Sequence, residues 1–262
     1  MNIDRIIIGT SQWGAKIDYK KSIKLGYEIA KSGFKTFDTA PNYGLGYAHK
    51  ILNDLNMKEK IIVNSKIGQK MDLNFKELLL RIYRFNDLRS YLQSNYNLFK
   101  YSRLKKNKIF WNISNIESEY QYLNKTLINC DKKIFYLHSP PKEILNLRNL
   151  QIFQKFCENN KLIPGLTSID DMSFDSLMYK IEGFQYQLSL NQYFRFENKI
   201  KGNLKIQINK IFKNSLEQTK IKKKKYLESV LDYFRDRSNV KLILGINSYN
   251  SLQKLINNLK KT

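Results

Sequence analysis

KTFDTAPNYG, residues 35–44, begins as a short apolar strand and ends in a turn. Between the two it sets a carboxylate, Asp38, and a phenol, Tyr43, five residues apart around a proline. Asp-Thr and Pro-Asn-Tyr-Gly are also ordinary turn chemistry. The meaning of the stretch therefore depends on what else converges on it.

On either side the chain alternates between strand and helix signals. Arg5-Ile6-Ile7-Ile8 is an apolar run ending at Gly9. Residues 20–32 carry Ile23, Ile29 and Ala30 as a helix stopped by Gly33. Phe34 to Asp38 is a second strand, YAHKILNDL a helix and Ile61 to Ser65 a third strand. Ser114 and Glu117 have capping-box spacing ahead of Ile116, Tyr120, Leu123 and Leu127, which share one helix face. Further strands are expected at Ile134–Leu137, Leu162–Leu166, Phe184–Leu190, Leu204–Ile208 and Lys241–Leu244. A last helix carries Leu252, Leu255, Ile256 and Leu259, capped by Ser248.

Eight continuously apolar strands separated by helices indicate a parallel sheet covered on both faces. At 262 residues that pattern predicts one (β/α)8 TIM-barrel domain over residues 1–262. No GxGxxG or Walker-type loop follows the first strand, which argues against an open dinucleotide-binding sheet. Two irregularities are expected: an insertion over residues 70–112 after the third strand, and a shortened or missing helix between the sixth and seventh strands.

Composition excludes several classes. No apolar run is long enough to span a bilayer, and MNIDRIIIGT runs straight into a strand, so neither a membrane segment nor a signal peptide is expected. The two cysteines, Cys130 and Cys157, form no CxxC and suit a reducing, cytoplasmic setting. The net charge of +23 is spread along the chain, with many Asn and Ile and only four Ala, as an AT-rich coding bias would produce. Its one dense run is Lys222 to Lys225, with Lys220 just upstream. No helix-turn-helix, zinc-finger or RNP pattern accompanies that run, so the charge does not by itself point to nucleic acid. No metal site is expected, and the oligomeric state is not legible.

In a TIM barrel the C-terminal strand ends face the active site. Asp38 and Tyr43 follow the second strand, Lys66 the third and His138 the fourth. A tyrosine serves as a general acid near neutrality if a cation such as Lys66 lowers its pKa. Asp38 would hold that lysine charged, and His138 would donate a hydrogen bond to an oxygen gaining negative charge. Carbonyl reduction needs this set, together with a hydride donor.

The residues also resemble the aldo-keto reductase family. FDTAPNYG, NSKIG and YLHSPP are similar to its tyrosine, lysine and histidine motifs. Ile8 to Gly14, Pro164 to Ser168, Gln187 to Asn191 and Leu244 to Ser248 follow in the family's order. The resemblance implies a catalytic tetrad of Asp38, Tyr43, Lys66 and His138, and hydride transfer from NADP(H) to an aldehyde or ketone, with NAD(H) as the alternative cofactor. It implies cofactor contacts at Asp38, Thr167, Ser168, Gln187, Asn209, Lys210, Ser248 and Lys254. The substrate, a small carbonyl compound, would meet Trp13, Tyr43 and His138. Asn209 stands where the family stacks an aromatic or arginine side chain. Ser251 falls near its 2′-phosphate arginine, and Lys254 and Leu255 near its adenine-binding residues. That divergence sustains a second reading, a catalytically weak reductase-like barrel acting as a binding or regulatory protein.

Overall fold

Eight parallel strands close into a barrel in sequential order, with the last strand returning to pair with the first. The computed structural model describes residues 1–14, 16–55, 57, 60–68, 113–178, 180–200, 202, 204–211 and 223–261. The strands are β1 (Ile6–Gly9), β2 (Thr36–Asp38), β3 (Ile61–Ile67), β4 (Cys130–His138), β5 (Ile163–Thr167), β6 (Gln185–Ser189), β7 (Lys205–Asn209) and β8 (Val240–Gly245). The α-helices among the described residues are α1 (Tyr19–Lys31), α2 (Tyr47–Asp54), α3 (Ile116–Thr126), α4 (Leu147–Asn159), α5 (Asp171–Leu177), α6 (Leu190–Phe196), α7 (Lys223–Tyr233) and α8 (Tyr249–Lys261). The expected TIM barrel is the observed fold. The 70–112 insertion and the side chains of Lys220 to Lys225 lie outside the described residues.

Local chemistry sets the helix ends. Asp18 caps α1 by accepting from the Lys21 N–H at 2.8 Å, and Gly33 follows with φ +93°, a conformation that favours glycine. Ser248 caps α8 through the Ser251 N–H at 3.2 Å, as expected. The anticipated Ser114–Glu117 capping box does not form. A 3-10 turn over Ile113–Asn115 takes Ser114 into the helical path, so α3 starts from Asn115, which makes no side-chain cap bond. A capping box unforeseen from the sequence joins Ser189 and Gln192 at the start of α6. Only seven-residue α6 and the 3-10 turn Glu197–Lys199 separate β6 from β7, in keeping with the expected shortening.

Period-2 alternation divides the strand residues between two environments. Ile6, Ile8, Phe37, Val63, Phe135 and Leu137 pack outward with helix residues such as Leu25, Leu123 and Phe153 in one apolar cluster. Burying each such side chain contributes about 1.5–3 kcal/mol. The alternate positions turn inward and are largely polar: Thr36, Asp38, Asn64, Lys66, His138, Thr167, Gln185, Gln187 and Gln207. Most of these are buried. Both cysteines are buried, and burial pushes the Cys130 thiol up to about 12. No helix of the described residues is long and apolar enough to cross a membrane.

Candidate active site

The ends of β2, β3 and β4 bring one ion pair and two rings together. β2 and β3 pair in register, setting Asp38 opposite Asn64, so Lys66 comes level with the turn beyond Asp38. Its Nζ donates to Asp38 Oδ1 at 2.6 Å and to the Thr39 carbonyl at 3.1 Å, with the lysine side chain fully buried. The same Nζ lies 4.8 Å from the centre of the Tyr43 ring. Across the mouth the Tyr43 and His138 rings meet edge to face, 6.2 Å apart at 88°. The turn that delivers Tyr43 depends on Gly44, whose φ is +56°. A Cβ there would lie 1.7 Å from the Trp13 carbonyl oxygen, so only glycine fits.

The electrostatics follow from burial and from these neighbours. Burial pulls the Lys66 ammonium down, but Asp38 and Tyr43 outweigh it, and its pKa lies above the ordinary lysine value. Burial pushes the Tyr43 phenol up. Lys66 pulls it back and Asp38 pushes it further, leaving it above the usual tyrosine value. This corrects the expectation of a lowered Tyr43: the cation acts in the expected direction, but desolvation is larger. Burial, then Lys66 and then Lys210 lower His138 to about 3, so the imidazole is neutral at physiological pH. Its Nδ1 is buried without a partner among the described residues.

The remaining predicted positions divide. Gln187 donates to Asp38 Oδ1 at 3.0 Å and accepts from the Thr167 hydroxyl, so both side chains are spent on orienting the carboxylate. Ser168, Lys210 and Ser248 are exposed, the first two in the left-handed region at φ 57° and 53°. Asn209 ends β7 with a buried Oδ1 that has no partner among the described residues. Lys254 is exposed on α8. Trp13, expected as a substrate wall, corrects to a packing residue. It is wholly buried, donates to the Ile246 carbonyl at 3.1 Å and meets Phe37 edge to face at 5.9 Å.

One inward residue escaped the sequence reading. Tyr136 stands two positions before His138 on β4, which period-2 alternation puts on the same inner face. Its ring lies 5.9 Å from Lys66 Nζ, and its buried hydroxyl has no partner among the described residues. Gly165 makes room for it, since a Cβ there would lie 2.4 Å from two carbons of the Tyr136 ring.

Residues 5–142 match the aldo/keto reductase family, and the chain belongs to that family of NAD(P)H-dependent oxidoreductases acting on carbonyl compounds. No curated protein matches the sequence. Solved structures share the fold at low identity. A glycerol dehydrogenase from Gluconobacter oxydans superposes with a TM-score of 0.63 at 16% identity, over 96% of this chain and 85% of that one. The holo form of an aldo-keto reductase from Bacillus halodurans gives 0.69 at 12%, over 98% and 87%. An aldo-keto reductase from Klebsiella pneumoniae in complex with NADPH gives 0.59 at 13%, over 98% and 85%.

Proposed function

We propose that this protein reduces an aldehyde or ketone with NADP(H), with Tyr43 as the proton donor. The observation that carries the reading is the buried Lys66–Asp38 pair at 2.6 Å with the same ammonium 4.8 Å from the Tyr43 ring. A phenol held above its usual pKa keeps its proton until an adjacent oxygen gains charge. Once the proton leaves, the phenolate faces a charged Lys66, which Asp38 and Gln187 hold in place. His138 is neutral and therefore has one N–H to offer the same oxygen. Together these groups stabilise the charge that develops on a carbonyl oxygen during reduction.

The residues at the mouth fit a nicotinamide cofactor. Asn209 Oδ1 at the end of β7 is a buried acceptor without a partner among the described residues, suited to a carboxamide N–H, and Ser168 stands exposed just after β5. The free N–H groups at the start of α8, beside Ser248, suit a phosphate, with Lys210 and Lys254 as point charges. When bound, the reduced nicotinamide supplies the hydride for the carbonyl carbon. The NADPH carried by the Klebsiella pneumoniae aldo-keto reductase of the same fold supports this assignment. NAD(H) is the alternative, because no arginine stands in α8 for a 2′-phosphate.

Tyr43→Phe tests the reading. Turnover of carbonyl substrates, followed by NADPH absorbance, should fall by about 10²–10⁴-fold while the cofactor still quenches protein fluorescence. Parent-level turnover in that variant would remove Tyr43 from the mechanism. The second reading, a catalytically weak reductase-like barrel acting as a binding or regulatory protein, is favoured by Asn209 standing where a stacking side chain is expected. Fluorescence titration that detects no NADPH binding would select it.

A further inference from the structure

A second polar cavity opens at the opposite, N-terminal end of the barrel, with a volume of about 390 Å³. Three lysines from three strands border it: Lys133 on β4, Lys205 on β7 and Lys241 on β8. No Asp or Glu is among its lining residues. Two amides border it from within the barrel, Asn64 at 1% exposure and Gln207 at 0%. All four polar side-chain atoms of that pair lack a hydrogen-bond partner among the described residues. An unsatisfied buried polar group costs about 1–3 kcal/mol, so two whole amides in this state point to something that pairs with them.

The strand register explains the convergence. Gln207 lies directly opposite Lys241, and Gln185, also in the lining, lies opposite Lys205. β3 and β4 shift register between Val63 and Asn64, which pair with Lys132 and Ile134 and leave Lys133 as the extra residue. That bulge lets two successive side chains, Lys133 and Ile134, both border the cavity. The lysines act on one another. Burial first, then Lys133, and further down Lys205 and Arg5 lower Lys241, with Asp4 opposing them. The guanidinium of Arg5 is itself tied to the Val240 and Phe234 carbonyls.

We propose that this N-terminal cavity is a binding site for a small phosphate monoester, separate from the catalytic mouth. Three ammonium groups call for more than one negative charge, which a phosphate monoester supplies at about −1.5 to −2. Lysine binds phosphate as a point charge, and the Asn64, Gln185 and Gln207 amides offer donors and acceptors to the hydroxyls of the ester's organic part. A cavity of about 390 Å³ admits a three- to six-carbon ester and excludes a dinucleotide.

Isothermal titration with inorganic phosphate and with glycerol 3-phosphate tests the site, at low and at raised salt. Glycerol 3-phosphate should bind more tightly than inorganic phosphate, and both should weaken as salt rises. The Lys133→Gln, Lys241→Gln double variant should lose at least about tenfold in affinity. Lys133 is exposed, so Lys133→Gln alone keeps the test valid if the double variant does not fold. Lys199→Gln, at an exposed surface pair with Asp175 outside the cavity lining, should change nothing. Two results would overturn the proposal. One is no binding of either anion at about 10 mM, which would make the cavity a water pocket. The other is binding that Lys210→Gln, at the other mouth, removes and Lys133→Gln does not.

Discussion

The Asp38–Lys66–Tyr43 cluster and the strand ends around Asn209 carry different kinds of polar chemistry. Asp38, Lys66 and Tyr43 are held by one another: the carboxylate takes two bonds and the ammonium gives two. Around the ends of β5 and β7, Asn209 keeps a buried Oδ1 with no partner among the described residues, and Ser168 and Lys210 stand exposed. The family match likewise covers residues 5–142 and ends just beyond β4. A proton-transfer site must be rigid before substrate arrives, because its stabilisation depends on groups already in position. A ligand-binding surface has unpaired groups until its ligand supplies the partners. Four perturbations test this contrast, the largest expected effect first.

Lys66→Met strikes the paired cluster. It leaves the Asp38 carboxylate buried without its counter-ion, and breaking one side of a buried pair costs about 3–5 kcal/mol. Urea unfolding should show that loss, together with loss of turnover. The Lys199–Asp175 pair is 54% and 42% exposed, and Lys199→Ala should cost under about 1 kcal/mol. Equal costs for the two variants would end the view that the Asp38–Lys66 cluster is specially pre-organised.

Gly165→Ala tests the packing beside the cluster. The added methyl would sit 2.4 Å from the Tyr136 ring, and overpacking of this kind costs about 1–3 kcal/mol. Tyr136→Leu should relieve the clash, so the double variant should melt above Gly165→Ala alone. If Gly165→Ala melts with the parent, Tyr136 is not confined as described.

How much of this was legible depends on where each signal resides. Asp38, Tyr43, Lys66 and His138 each end an apolar strand or open the turn after it, so local pattern plus barrel topology was enough to bring them together. Trp13 also follows a strand, but which way a rim side chain turns is decided by its contact with Phe37 and the Ile246 carbonyl, far away in sequence. The sign of the Tyr43 shift needed burial, which spacing does not contain. Ser114 matched a capping box in letters, and a 3-10 turn displaced it. Tyr136 was within reach, since two residues before an inward histidine must face inward. The N-terminal cavity was not, because the phase of Lys133 depends on a bulge between two strands.

The acid limb of stability probes His138. Its folded pKa of about 3 lies below the ordinary 6.5. Below pH 6.5 the unfolded chain therefore takes up a proton that the folded chain refuses. This contribution is fully present above pH 6.5 and is lost as pH falls toward 3. Between pH 6.5 and 5 it should remove roughly 1–2 kcal/mol. His138→Asn should flatten the pH dependence of the urea midpoint by that amount. An unchanged slope would mean that His138 titrates alike in the folded and unfolded chain.

The smallest effect is the most discriminating one. Asn209 Oδ1 is an orphan among the described residues, so in the absence of cofactor it is a cost rather than a bond. Asn209→Leu should leave the melting temperature unchanged or raise it, because an unsatisfied acceptor is replaced by an apolar group. The same change should raise the KM for NADPH about three- to tenfold with little effect on kcat, since one hydrogen bond to the cofactor is lost. The two readouts move in opposite directions only if the acceptor exists for a ligand. An asparagine with a structural role would give a lower melting temperature and an unaltered KM, and the strand ends around Asn209 would then be as self-contained as the Asp38–Lys66 cluster.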